Sequence, residues 1–76
     1  MKSLTVMLDG FEKVNKFVQI AAAFDGDLDL ISGRYVVDAK SIMGIYSLDL
    51  KNTLTLNIER DDEFNKAKEK FSEFIA

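Results

Sequence analysis

Few residues in this chain could do chemistry, and none has the partner that catalysis usually needs. Ser41 follows Lys40 and opens an apolar stretch within AKSIMGIYSLDL, residues 39–50. Asp25, Asp27 and Asp29 crowd around Gly26, Asp61 adjoins Asp62, and Asp9 and Glu12 flank Gly10 and Phe11. Histidine and cysteine are both absent. Without histidine there is no general base suited to neutral pH, no imidazole metal ligand and no way to activate a serine in a triad. Without cysteine there are no disulfides and no thiolate metal sites, which suits a reducing cytoplasm. The aspartates near Gly26 lack the length and the bidentate glutamate of a calcium loop, and Asp27 and Asp29 fit the outward positions of a strand. Gly26, Gly33 and Gly44 are too scattered to cradle a phosphate. A carboxylate enzyme built on Asp9 and Glu12 has nothing converging on it and no concave pocket in so small a sheet. The expectation is a non-enzyme with no metal and no cofactor.

Ser41 carries two compatible readings. Its hydroxyl can accept from the free backbone N–H groups of the turn that follows, making it a helix N-cap. It can also receive a phosphate, whose added charge would sit at a positive helix end beside Lys40. The apolar residues after it outnumber what one narrow helix face can bury. Ile45 and Leu48 are the better core candidates. Ile42, Met43 and Tyr46 are left either to pack plainly or to form an exposed partner-binding patch with Lys40.

The elements that position these residues follow from periodicity. Leu4, Val6 and Leu8 alternate as a strand with one buried face. Asp9 is a candidate cap for a helix over residues 11–24, with Phe11, Val14, Phe17, Val18, Ala21 and Ala22 as its buried stripe. Leu28 and Leu30 mark a second strand over residues 27–32. Ser32-Gly33 turns the chain into a third strand through Tyr35, Val36 and Val37. The short Ser41-capped helix follows, weakened by Gly44. Leu54, Leu56 and Ile58 form a fourth strand. Asp61 or Asp62 caps a last helix whose stripe is Phe64, Ala67, Phe71 and Phe74 or Ile75, with Glu63 adding favourable charge at its start. The order is β-α-β-β-α-β-α. Four strands with one apolar face each need one cover layer, so the class is α+β with helices on one side of an antiparallel sheet.

The chain has 76 residues and a net charge of −3. Its length suits one domain, residues 1–76, with a thin core. An acidic balance disfavours nucleic acid as a partner. No apolar run is long enough to span a membrane, and the N-terminus lacks a signal-type apolar core, so a cytoplasmic chain is expected, whether whole or an excised domain.

The element order and KSIMGIYSLDL together resemble the HPr phosphocarrier family of the bacterial phosphoenolpyruvate-dependent sugar phosphotransferase system. Gram-positive members carry a similar Lys-Ser-Ile-Met-Gly-x-x-Ser-Leu stretch. The similarity runs back through Phe17, Val18, Gln19, Ala21 and Phe24 and forward through Leu54 to Ile58. It implies an open-faced β-sandwich with sheet order 1-4-2-3. It also implies that Ser41 matches a regulatory serine phosphorylated by a dedicated kinase. Ile42, Met43 and Tyr46 would match an apolar patch that meets phosphotransferase components and a transcriptional regulator.

The departure from that pattern is equally plain. Family carriers open their first helix with Gly-Leu-His-x-Arg-Pro, and the histidine carries the phosphoryl group. Here the region reads Leu8-Asp9-Gly10-Phe11-Glu12-Lys13. Counting back from Phe24 without a gap puts Gly10 at the histidine position, but then Leu4, Val6 and Leu8 fall on the wrong face. A deletion of one or three residues restores the phase. Asp9, Gly10, Phe11 and Glu12 thus stand as a degenerate active-site loop. The resemblance implies a protein-binding, regulatory HPr-like module controlled through Ser41, as in family relatives that lack the histidine. The alternative is a diverged interaction domain that has left sugar phosphotransfer, with Ser41 only a cap.

Overall fold

The computed structural model describes residues 2–76. Strand β1 (Lys2–Val6) leads to helix α1 (Phe11–Ala21), then to the hairpin of β2 (Leu28–Ser32) and β3 (Tyr35–Asp38). Helix α2 (Ile42–Tyr46), strand β4 (Leu54–Ile58), a 3₁₀ turn (Asp61–Glu63), helix α3 (Phe64–Lys70) and a second 3₁₀ turn (Ser72–Phe74) complete the chain. The strands form one sheet in the order β1-β4-β2-β3, every neighbouring pair antiparallel. The helices lie on one face, which gives the open-faced sandwich that the sequence predicts.

Strict alternation builds the buried face. Val6, Leu28, Leu30, Leu54, Leu56 and Ile58 are buried and point at the helices, while Ser3, Thr5, Asn57 and Asp29 occupy the intervening positions. Leu8 lies beyond the end of β1 but keeps the phase and is fully buried. Phe71 sits at the centre of the core, with ring centroids 4.7 Å from Phe17, 5.3 Å from Phe24 and 6.3 Å from Phe74. Contact of this kind adds to the area term that holds a small core together.

Four local expectations are corrected. Gly10, not Asp9, is the N-cap of α1, and it does so without a side-chain bond. Asp9 instead meets Lys13 at 2.9 Å. Helix α1 ends at Ala21, so Ala22 falls at the C-cap and is exposed. Phe11, expected on the buried stripe, is 69% exposed. A helical side chain lies over the turn preceding its own Cα, and at the first helical position there is no such turn, so Phe11 projects past the helix end. Neither Asp61 nor Asp62 caps α3, which is entered through the 3₁₀ turn after Arg60.

The third helix also stops earlier than its apolar stripe suggests. After Lys70 the chain tightens into 3₁₀ geometry, burying Phe74 edge-on against Phe17 at 5.5 Å. It then extends along the outer edge of β1, where Ile75 bridges Val6, Met7 N donates to Phe74 O and Ala76 N donates to Thr5 O. Glu63 has a use that the sequence did not reveal. It is buried, and its carboxylate accepts from Gly26 N at 2.9 Å and Asp25 N at 3.3 Å, tying the turn before β2 to the start of α3.

Candidate functional site

The Ser41 corner is set by the exit from β3. Ser41 N donates to Asp38 O at 3.0 Å, and Lys40 N donates to the Asp38 carboxylate at 2.9 Å. This fixes Ser41 in an extended conformation from which its Oγ accepts from Gly44 N at 3.1 Å. The expected N-cap is present. Gly44 lowers helix propensity, but a Cβ there would lie 3.2 Å from Val37 Cβ and 3.4 Å from Ser41 Oγ. Its small size thus lets α2 sit close on β3 and lets the cap close.

Helical spacing then sorts the apolar residues. Ile45 and Leu48 are buried, and Ile42 is half-buried against the core. Met43 is 79% exposed and Tyr46 41% exposed. Lys40 is half-buried, and its ammonium donates to Phe24 O at 2.7 Å. Its ammonium is therefore held by a carbonyl of the segment that follows α1, instead of standing free beside Ser41.

The loop that leads into α1, residues 9–12, lies next to this corner. The Phe11 ring stacks on Tyr46, with centroids 6.2 Å apart and planes at 20°. The two rings, with Leu8, Leu48 and Leu50, line an open apolar hollow of about 470 Å³ bordered by Asp9, Asp49 and Lys51. Phe11 is the functional candidate whose role periodicity misassigned; its position immediately after the glycine was the available signal. Gly10 has φ −172° and ψ 156°, an extended conformation open to any residue. A Cβ on Gly10 would meet nothing within 4 Å. The lack of a larger side chain there is a matter of sequence, not of room. Glu12 is exposed in the first turn of α1. The hydrogen bond and charge of Lys13 hold the Asp9 carboxyl below its ordinary pKa. Arg60 does the same for Asp62, on a different part of the surface.

Asp25, Asp27 and Asp29 do not converge. Among the described residues no group of three or more carboxylate, imidazole or thiol side chains could hold a metal, and no helix is long and apolar enough to cross a membrane. What the structure brings together is Ser41, exposed Met43 and the Phe11–Tyr46 pair, around α2.

An antiparallel sheet in the order 1-4-2-3, covered on one face by helices, defines the HPr-like open-faced sandwich class. The family model described as "PTS HPr component phosphorylation site" matches residues 13–76. The chain belongs to the HPr family of the phosphotransferase system. It superimposes on the crystal structure of HPr-C-His from Thermoanaerobacter tengcongensis with TM-score 0.82 at 32% identity, covering 99% of this chain and 91% of that one. It also matches a phosphocarrier protein HPr from Bacillus anthracis strain Ames, with TM-score 0.73 at 28% identity, covering 99% and 94% respectively. A comparison with curated protein sequences finds no match. Members of the family are phosphocarriers rather than catalysts, and they act through contacts with other phosphotransferase proteins.

Proposed function

We propose that this chain is a regulatory, protein-binding HPr-type module that does not relay phosphoryl groups and is controlled by phosphorylation of Ser41. The observation that carries the reading is an asymmetry between two helix starts. At α2 the serine, its cap and the exposed Met43 and Tyr46 are intact. At α1 the start is Gly10 in a chain with no histidine, and the family match begins at Lys13, just past this loop. A glycine has no atom to hold a phosphoryl group. Phe11 in turn extends the apolar surface of Tyr46, so the corner gains contact area where it loses chemistry.

Phosphorylation fits the geometry of Ser41. A phosphoserine brings about −1.5 to −2 charges at neutral pH beside a capped helix start. It would change the charge of the patch without burying anything, so partners that favour an anion and partners that favour an apolar surface would be separated. The expected partners are a serine kinase of the HPr type, a transcriptional regulator and phosphotransferase components, in the cytoplasm. The test is kinase-dependent incorporation of phosphate at Ser41, lost in Ser41→Ala. A kinase of this type that leaves Ser41 unmodified removes the regulatory half of the proposal.

A further inference from the structure

The two edges of the sheet are treated differently. The outer edge of β1 is covered by the C-terminal segment through Ile75 and Ala76. Strand β3, at the other end of the order, pairs only with β2 among the described residues. Sheet edges with unmet backbone groups are templates for further pairing, and proteins ordinarily blunt them. Here Tyr35 and Val36 are 67% and 60% exposed on that edge.

Hydrogen-bond phase shows which groups face outward. Ala39 N donates to Leu28 O, so in the β2–β3 register the pairs Leu30–Val37 and Ser32–Tyr35 are hydrogen-bonded and Ile31–Val36 and Asp29–Asp38 are not. The N–H and C=O of Val36 and the N–H of Asp38 therefore point away from the sheet. The hairpin turn that precedes them has Gly33 at φ +59°, with no other of the described residues at positive φ, as a two-residue type II′ connection requires. Arg34 is thereby presented at the start of the edge, exposed and in no ion pair among the described residues. Asp38 lies directly opposite Asp29 on the open face, a like-charge pair that is unfavourable across strands.

We propose that β3 pairs antiparallel with β3 of a second copy of this chain, across a two-fold axis at Val36. In that register Val36 opposes Val36 of the second copy with two backbone bonds, Tyr35 opposes Val37, and Arg34 opposes Asp38. The sequence Arg34-Tyr35-Val36-Val37-Asp38 is self-complementary in charge about its centre. Each Arg34 then supplies the cation that the Asp29–Asp38 pair lacks within one copy. Slipping the pairing by two residues sets Arg34 or Asp38 against Val36 and loses both ion pairs, so charge selects the register. The contact is short, at the small end of specific interfaces, and the dimer is correspondingly weak and concentration-dependent.

The test is sedimentation equilibrium of the full chain up to millimolar concentration, with amide exchange at Val36 followed in parallel. The proposal expects reversible dimerisation and slowing of Val36 exchange as concentration rises. Arg34→Asp, in an exposed turn, weakens association by about tenfold or more by turning two attractions into repulsions. Asp38→Arg does the same, and an equimolar mixture of the two variants restores association because both cross-strand pairs are again opposite in sign. A wild-type chain monomeric throughout, an Arg34→Asp chain that associates as well as wild type, or a mixture no tighter than the separate variants overturns it.

Discussion

Replacing Ser41 by alanine removes one specific interaction, and the size of the loss can be worked out beforehand. The Ser41 Oγ accepts from Gly44 N at 3.1 Å, in a helix of only five residues. Removing that acceptor leaves a first-turn N–H without its partner, which costs about 1 kcal/mol, within a range of roughly 0.5–2. For a chain of this length each kcal/mol lowers Tm by about 4–8 °C. Ser41→Ala should therefore melt about 4–8 °C below wild type, with an unchanged urea m-value because the surface exposed on unfolding is the same. Ser41→Asn keeps an acceptor at the cap and should stay within a few tenths of a kcal/mol of wild type. The assay is urea and thermal denaturation followed by circular dichroism. If the alanine and asparagine variants prove equally stable, or equally destabilised, the cap is not what Ser41 contributes and the reasoning fails. The comparison matters for function too. Loss of phosphate uptake in Ser41→Ala mixes a missing hydroxyl with a loosened helix, whereas loss in Ser41→Asn reports the hydroxyl alone.

Other perturbations reach different parts of the fold. Phe71 is fully buried between Phe17, Phe24 and Phe74, so Phe71→Ala should cost about 3–5 kcal/mol, a large share of the stability of so small a chain, read as a collapse of the urea midpoint. Glu63→Ala strips the acceptor from Asp25 N and Gly26 N and should cost about 1–3 kcal/mol, with faster amide exchange at Gly26 as its local signature. Asp9 has its pKa lowered by the hydrogen bond and charge of Lys13, so its small, salt-screened contribution is present above the ordinary carboxylate range and is lost as pH falls through the lowered folded value. An NMR titration of the Asp9 carboxyl should show that lowered value in wild type and its return upward in Lys13→Met.

Much of the fold was legible because strand periodicity is strict here. Leu28, Leu30, Leu54, Leu56 and Ile58 could face only one way, and a one-residue slip would have exposed all of them. Ser41 was legible for a similar reason, since its cap reaches only three residues along the chain. What escaped the sequence was set at element ends or over long range. Phe11 lies in the phase of a buried stripe but has no preceding helical turn to lie against. Glu63 reads locally as charge at a helix start, while the two N–H groups it serves lie 38 and 37 residues away. Lys40 reads as a neighbour for a phosphate, yet its ammonium is held by a carbonyl 16 residues earlier. In the candidate site, the serine and its apolar neighbours were readable, and the joining of Phe11 to Tyr46 needed the packing of α1 against α2.

The proposed function requires that this chain receive phosphate on Ser41 and pass none on. Two reactions on the same sample test it, one with an HPr-type serine kinase and ATP and one with enzyme I and phosphoenolpyruvate, each read by intact-protein mass spectrometry. The expected result is one phosphoryl group from the kinase, mapped to Ser41, and none from enzyme I. Uptake from enzyme I, or no uptake from the kinase, would contradict it.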